Sequence, residues 1–187
     1  MRRVWRYYVK KHCRTRYSQI FKRIGVRVYV DDGELYDNIL GGRVFYLSAK
    51  TFGEMVGLLG DSISPPAAHA LLWNLGHRYG VALGKKAVQA TANTEEAVKM
   101  LSYAAFRSGW GRNNVTNRLQ QDNVVEVVFE NCVFCHEQAN LQSPTCYFLA
   151  GVLGGIAEAV YGKRFESRET ECRAVRGSVC RFVLRPL

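Results

Sequence analysis

Residues 146–184 read CYFLAGVLGGIAEAVYGKRFESRETECRAVRGSVCRFVL, and the other predicted elements are arranged around this segment. Its first part, Cys146 to Tyr161, is apolar at nearly every position, which predicts a helix that is buried on most sides. The second part predicts a β-hairpin with arms at Arg164–Arg173 and Ser178–Leu184 and a turn at Arg176–Gly177. A buried helix that leads into a hairpin is typical of a sheet packed against helices.

The rest of the chain predicts a block of strands, then helices, then one more strand. Alternating valines at 26–30 predict a short strand, and Arg43–Leu47 predicts another. Helices are predicted over Ala49–Leu59, from Pro65 onward and over Thr94–Ser108, a break is predicted at Gly109, Gly111, Asn113 and Asn114, and an apolar strand is predicted over Val124–Phe129. This order predicts an α+β fold: an antiparallel sheet with helices packed on one side.

The second helix has the clearest sequence signals. Ser64 is a favourable N-cap and Pro65 suits the first helical position. One face carries a glycine at every fourth residue, although each glycine costs about 1 kcal/mol relative to alanine in a helix interior. Such glycines indicate close approach by another helix or a subunit, or else a weak helix. The glycines are Gly76, Gly80 and Gly84, and the apolar stripe beside them comprises Ala68, Leu72, Leu75, Tyr79 and Leu83.

The composition is that of a globular protein of one domain. The chain has 187 residues, of which 48% are hydrophobic and 22% charged. No apolar run reaches the length of about 18 residues that predicts a membrane span, and the amino terminus lacks the apolar core of a secretory signal. Six cysteines without such a signal favour a reducing, cytoplasmic location, where thiols bind metals or fill the core.

The net charge of +10 is concentrated at the amino terminus. Ten of the 26 basic residues and none of the 16 acidic residues lie in residues 1–27. We therefore expect a basic, aromatic, helical arm at 1–27, followed by a ligand-binding domain at 28–187. The arm has three interpretations: a solvated tail, a docking segment for a protein partner, or a binding site for a polyanion such as nucleic acid or an anionic membrane surface. The polyanion-binding residues would be Arg2, Arg3, Arg6, Lys10, Lys11, Arg14 and Arg16.

Cysteines near the carboxyl terminus suggest a metal site. Cys172 and Cys180 lie on the two arms of the predicted hairpin, and Cys146 begins the helix before it. Three thiolates and the carboxylate of Glu169 could close a tetrahedral zinc site. Spacing alone leaves open that these are buried apolar cysteines.

A second arrangement competes with this one. Cys132 and Cys135 form a Cys-x-x-Cys motif with His136 beside it. The alternative metal site is Cys132, Cys135, Cys172 and Cys180. A redox pair is less favoured, because no βαβ pattern surrounds the motif.

The closing segment resembles the 4-vinyl reductase (V4R) domain family. The shared pattern is a cysteine opening a glycine-rich helix, then Glu-x-x-Cys, a glycine-containing turn and Cys-x-Phe. The residues are Cys146, Gly151, Gly154, Glu169, Cys172, Gly177, Cys180 and Phe182. ALLWNLGHRYGVALGKKA also resembles the family's central helix, so that the resemblance covers roughly residues 40–187.

The resemblance implies a fold similar to the small subunits of the vesicle-tethering TRAPP complex, usually dimeric, so a homodimer is expected. In bacterial regulators that sense aromatic compounds, this domain binds a small hydrophobic ligand. A structural zinc ion held by Cys146, Glu169, Cys172 and Cys180 is implied as well. Since protein atoms would fill all four positions, this zinc could not activate water.

Candidate ligand-binding residues are aromatic side chains near the buried elements: Phe106, Trp110 and Phe148. Aromatic residues on helix faces are more often core than pocket, so that alternative stays open. Motifs for phosphate, dinucleotide and catalytic zinc binding are absent, and no catalytic residue is predicted. The family name suggests at most an accessory role in vinyl reduction.

The expected function is a small-molecule sensor or carrier that signals through dimer or partner contacts. The alternatives are an accessory protein for tetrapyrrole, bacteriochlorophyll or photosystem assembly, and a nucleic-acid-binding regulator.

Overall fold

The computed structural model describes residues 28–31, 34–37, 42–135, 144–175 and 177–187. The basic arm predicted at residues 1–27, with its polyanion-binding residues, lies outside the described residues, as does His136. Contacts between residues divide the chain into two compact units, Met1–Val44 and Phe45–Leu187. The predicted domain boundary after residue 27 coincides with an edge of the described residues, so it stays a prediction.

The described part of the first unit is a three-stranded antiparallel sheet in the order β1-β2-β3. Its strands are β1 (Val28–Asp31), β2 (Glu34–Asp37) and β3 (Gly42–Val44). β1 and β3 correspond to predicted strands, whereas β2 was not predicted. The predicted extension of β3 to Leu47 is wrong, since the chain leaves the strand after Val44.

Three helices open the second unit: α1 (Ala49–Ser62), α2 (Pro65–Ala90) and α3 (Thr94–Arg107). Local signals define where they begin. The Ser48 hydroxyl accepts a hydrogen bond from the backbone N–H of Thr51 at 3.0 Å, and the Asn93 side chain accepts one from Glu96 at 2.9 Å. These caps satisfy N–H groups that the first turn of a helix leaves unpaired. All three helices were predicted.

Four strands of this unit form an antiparallel sheet in the order β4-β5-β7-β6. They are β4 (Arg112–Arg118), β5 (Val124–Glu130), β6 (Phe165–Glu171) and β7 (Val179–Pro186). A 3-10 turn (Val133–Cys135) follows β5, and α4 (Tyr147–Tyr161) precedes β6. The predicted strand, buried helix and hairpin therefore all form.

The break predicted at Asn113 and Asn114 is wrong, because both residues lie within β4. They pair with Phe129 and Val128 of β5. Among the described strands, β4 is at an edge of its sheet and pairs with β5 alone, so a polar sequence is compatible with a strand there. The Asn113 amide also donates a hydrogen bond to the Ser102 carbonyl of α3 at 2.9 Å, which connects the strand to the helix.

Helix α4 packs against both the sheet and α2, and its side chains form much of the core. The glycines of α2 face it directly: a Cβ added at Gly76 would lie 2.1 Å from the Phe148 carbonyl oxygen, and one at Gly80 would lie 2.1 Å from that of Val152. Glycines of α4 make the reciprocal contact, since a Cβ at Gly151 would lie 2.0 Å from the Trp73 carbonyl oxygen. The predicted close approach by another helix is confirmed.

The apolar stripe predicted on α2 is buried only in part. Ala68, Leu72 and Leu83 are buried, but Leu75 is 57% exposed. The glycine face, and not the centre of the leucine stripe, is turned toward α4. None of the described helices has the length and hydropathy that crossing a bilayer requires.

Gly80→Ala is expected to destabilise the protein by about 3 kcal/mol, because the new methyl group would overlap main-chain atoms of α4 that cannot move independently. Urea unfolding followed by circular dichroism measures this change. Gly57→Ala in α1 is the matched control, since a Cβ there meets nothing within 4 Å. We expect the control to stay within about 1 kcal/mol of the wild type, toward stabilisation. Equal stability of the two variants would contradict direct backbone contact between α2 and α4.

Candidate metal centre

Five buried cysteines and one carboxylate meet at the start of α4, where this helix adjoins the sheet. Cys146 immediately precedes α4 and is its N-cap residue. The 3-10 turn after β5 and the residue before it supply one cysteine each, and the hairpin β6–β7 supplies the remaining groups. The six residues are Cys132, Cys135, Cys146, Glu169, Cys172 and Cys180.

A β-bulge brings the Glu169 and Cys172 side chains to one place. Residues three apart on a regular strand point to opposite faces. The register between β6 and β7 shifts between Glu169 and Glu171, and such an extra residue reverses the alternation of side chains. The Glu169 carboxylate and the Cys172 thiol therefore both reach the Cys180 thiol on β7.

The distances between sulfur atoms fit tetrahedral coordination. The Cys146 Sγ lies 3.9 Å from the Cys132 Sγ and 3.9 Å from the Cys180 Sγ, and the Cys135 Sγ lies 3.4 Å from the Cys180 Sγ. A tetrahedral zinc ion with Zn–S bonds of about 2.3 Å separates neighbouring sulfurs by about 3.8 Å. A disulfide bond of about 2.05 Å is far shorter, and all five of these cysteines are free.

Among the described residues, two sets of four groups have ligand atoms that all lie within 4.8 Å of one another. One set is Cys146, Glu169, Cys172 and Cys180, the set implied by the family resemblance. The structure thus brings those four residues together, while zinc binding by them stays a prediction. The other set joins Cys132 and Cys135 to Cys146 and Cys180. It differs from the alternative site predicted from the sequence in having Cys146 in place of Cys172, and that alternative stays a prediction.

Glu169 has the environment of a metal ligand. Its Oε2 accepts a hydrogen bond from the Cys146 backbone N–H at 3.0 Å, whereas its buried Oε1 has no hydrogen-bond partner among the described residues. Burial raises the pKa of this carboxyl group to about 8, and the negative charge of Cys172 adds to the effect. A buried carboxylate oxygen without a partner is costly, and a bound cation would remove that cost.

The thiols perturb one another strongly. The pKa of Cys135 is lowered by hydrogen bonds with the thiols of Cys132 and Cys146, and the same kind of contact with Cys132 raises the pKa of Cys146. These opposite shifts arise because neighbouring sulfurs lie within 3.4 to 3.9 Å of one another. A dication that displaced thiol protons would be bound by thiolates.

Next to the thiols lies a cluster of five partly buried aromatic rings, which we call the ring cluster. Phe134 is central to it, with ring centroids 5.5 Å from Phe52, 5.2 Å from Trp110 and 5.5 Å from Phe148. Tyr79 completes it, at 6.3 Å from Trp110 and 6.4 Å from Phe148. The rings come from α1, α2, the 3-10 turn, α4 and the loop after α3.

Two of the three predicted ligand-binding residues, Trp110 and Phe148, belong to the ring cluster. Phe106 is 56% exposed on α3, and its role stays a prediction. The sequence analysis did not single out Phe52, Tyr79 or Phe134 for ligand binding. The position of Phe134 inside the Cys-x-x-Cys motif was the one signal that could have identified it.

A separate cavity of about 410 Å³ opens on the β6–β7 side of the sheet. Its lining includes the charged side chains of Glu166, Arg168, Glu169 and Arg185. Pockets for hydrophobic molecules are mainly apolar, so this cavity does not fit such a ligand.

A family model matches the part of the chain that runs from β5 to β7. The model of the V4R domain matches residues 125–186. The predicted resemblance is confirmed. Three uncharacterized proteins of Methanocaldococcus jannaschii are also similar, the first at 26% identity over 95 residues, which is 49% of this chain. The chain spans 59%, 38% and 64% of the lengths of these relatives, respectively.

Solved structures share the fold. The phenol-responsive sensory domain of the transcription activator PoxR, crystallised with phenol, has a TM-score of 0.75 at 19% identity and covers 92% of this chain and 90% of its own. A vinyl-4-reductase family protein from M. jannaschii has a TM-score of 0.58 at 18% identity, over 77% and 84% of the two chains. Subunit 3 of the trafficking protein particle complex from Naegleria fowleri, covalently bound to palmitic acid, has a TM-score of 0.55 at 17% identity, over 74% and 92%. The predicted α+β fold of this type is therefore confirmed.

Cys180→Ala is expected to give a protein with much less bound metal than the wild type, because Cys180 belongs to both sets of four. Loss of a structural zinc ion should also lower the thermal midpoint by about 10 °C, which corresponds to about 3 kcal/mol for a chain of this size. Elemental analysis and a thermal melt measure the two effects. Cys13→Ser, which removes the sixth cysteine of the sequence and none of the five named above, is the control and should retain its metal. Full metal content in Cys180→Ala would contradict the assignment.

Proposed function

We propose that this chain is a zinc-stabilised domain that binds a small hydrophobic molecule in the cytoplasm, as a sensor or carrier. It acts through dimer or partner contacts, and the proposal assigns it no catalytic residue. One observation carries the proposal: the clustered cysteines and the ring cluster share two short pieces of chain. Phe134 lies between Cys132 and Cys135, and Phe148 lies two residues after Cys146.

Zinc bound by Cys146, Glu169, Cys172 and Cys180 would fix the first turn of α4 against the hairpin. Phe148 in that turn would then hold its position without depending on local packing alone. The 3-10 turn is tied to the same region, because the Val133 N–H donates a hydrogen bond to the Trp110 carbonyl at 3.1 Å. A rigid support on one side of the ring cluster is what a selective apolar site requires.

The structural neighbours support a hydrophobic ligand. One is a phenol-responsive domain solved with phenol, and another is covalently bound to palmitic acid. Their sequence identities of 19% and 17% carry the likeness of fold alone. What this chain binds is therefore inferred from its own rings, whose stacked and edge-on faces suit an aromatic or other flat apolar molecule.

Ligand entry would require the ring cluster to open. The rings are in mutual contact, at centroid distances of 5.2 to 6.4 Å, so a guest must separate some of them. Phe52 is the ring most able to move, because α1 has no buried residue along its length. A weakly packed helix opens at low free-energy cost. Displacement of α1 is therefore the proposed signal of occupancy.

A homodimer is the expected assembly through which such a signal passes. Large apolar side chains of α1 and α2 are exposed, and surfaces of this kind are often covered in an assembly. They include Met55, Leu58, Leu71 and Leu75. Sedimentation velocity with and without phenol measures the assembly, and a monomer at all concentrations in both states would contradict signalling through a dimer.

Phe148→Ala is expected to weaken binding of a small aromatic probe about tenfold, since loss of one ring contact costs about 1.4 kcal/mol. Calorimetric titration with phenol and naphthol measures the affinity. Phe106→Ala tests the more exposed predicted residue and should have a smaller effect. Tyr46→Ala removes a ring that is 83% exposed and is the matched control, with affinity unchanged.

Two results would contradict the proposal. Absence of saturable binding for the aromatic probes and for palmitate would count against a hydrophobic ligand. Equal affinities of Phe148→Ala and Tyr46→Ala would count against the ring cluster as its binding site.

A further inference from the structure

Cys132 and Cys135 have no role in the zinc site proposed above. Both are fully buried, at 0% and 1% exposure. The Cys132 Sγ lies 3.9 Å from the Cys146 Sγ, and the Cys135 Sγ lies 3.4 Å from the Cys180 Sγ. The two thiols therefore contact sulfurs that already belong to the proposed zinc site.

We propose that the cluster binds two soft dications and not one. The second ion is held by Cys132, Cys135, Cys146 and Cys180, and the thiolates of Cys146 and Cys180 bridge the two ions. This inference rests on the proposed zinc site and extends it. The ions are of the zinc class, because five thiolates select a thiophilic metal over magnesium or calcium.

The arrangement of donors supports a two-ion cluster. The two sets of four share two members, Cys146 and Cys180, and each set has two members of its own. Two tetrahedra that share one edge have this pattern of four terminal and two bridging ligands. The shared edge would be the 3.9 Å separation between the Cys146 and Cys180 sulfurs, close to the value of about 3.8 Å expected for zinc.

The distances within the all-thiol set suit a metal position. Three sulfur–sulfur contacts within the all-thiol set lie between 3.4 and 3.9 Å. All four of its members are buried. A position enclosed by four protein sulfurs has no room for water, as in structural zinc sites.

Charge balance also permits the second ion. Ligation by Cys132 and Cys135 requires thiolates, so the second dication would displace two thiol protons to solvent, and two positive charges would replace two others. The net charge of the cluster is unchanged, and no oxidant or reductant is needed.

A second ion would have a consequence for ligand binding. It would clamp both ends of the turn that holds Phe134, whose ring contacts three other members of the ring cluster. Cys132 and Cys135 would thus act as positioning residues for the ring cluster.

Metal counting on the full chain tests the proposal. Protein purified from zinc-supplemented cells is examined by elemental analysis and native mass spectrometry. We expect two zinc ions per chain in the wild type and in Cys13→Ser. The double variants C132S/C135S and E169Q/C172S should each retain one, because each removes the terminal ligands of one position.

Three outcomes separate this proposal from the proposed zinc site. One ion both in the wild type and in C132S/C135S would overturn the second position and leave the zinc site intact. One ion in the wild type and none in folded C132S/C135S would mean a single all-thiol site, which overturns the two-ion cluster and the Glu169-containing set. Absence of metal in the wild type would overturn both proposals.

Cadmium NMR provides a test that needs no variant to fold. Wild-type protein loaded with spin-active cadmium should give two resonances, each split by the other ion through the bridging thiolates. A single unsplit resonance would overturn the proposal. Visible charge-transfer absorption of an iron–sulfur cluster in the purified protein would overturn it as well.

Discussion

Direct contact between the backbones of α2 and α4 determines where the candidate sites lie. Glycines on both helices let main-chain atoms meet, so that added methyl groups at Gly80 or Gly151 would overlap carbonyl oxygens of the other helix. Since Cys146 immediately precedes α4, this contact also determines where the first cysteine lies relative to the hairpin. Phe148, in the first turn of the helix, is positioned by the same packing. The positions of the metal centre and of the ring cluster therefore both depend on how α4 packs against α2.

The start of α4 is also a favourable place for negative charge. The first turn of a helix presents unpaired N–H groups and the positive end of the helix dipole. The carboxylate of Glu169 uses one of these groups, the N–H of Cys146. Thiolates and a carboxylate gathered there are costly to bury without a cation. The helix terminus lowers that cost in part, and a soft dication would offset more of it.

Much of this arrangement could be predicted from the sequence, because its signals are local. The buried helix, the hairpin and the repeated glycines of α2 follow from periodicity and residue type. Strand β4 could not be predicted, since its asparagines favour loops and only pairing with β5 makes them a strand. The convergence of Cys132 and Cys135 with Cys146 and Cys180 depends on tertiary contacts between residues as far as 45 positions apart. Spacing along the chain carries no information about that meeting.

Helix α1 contributes Phe52 to the ring cluster, although none of its residues is buried. It packs on α2 and on the 3-10 turn that contains Cys135. Because none of its own residues is buried, we expect substitutions along α1 to cost less stability than substitutions along α4. Related proteins could acquire different preferences for their guest molecules by changing this helix while the sulfur-rich half stays the same.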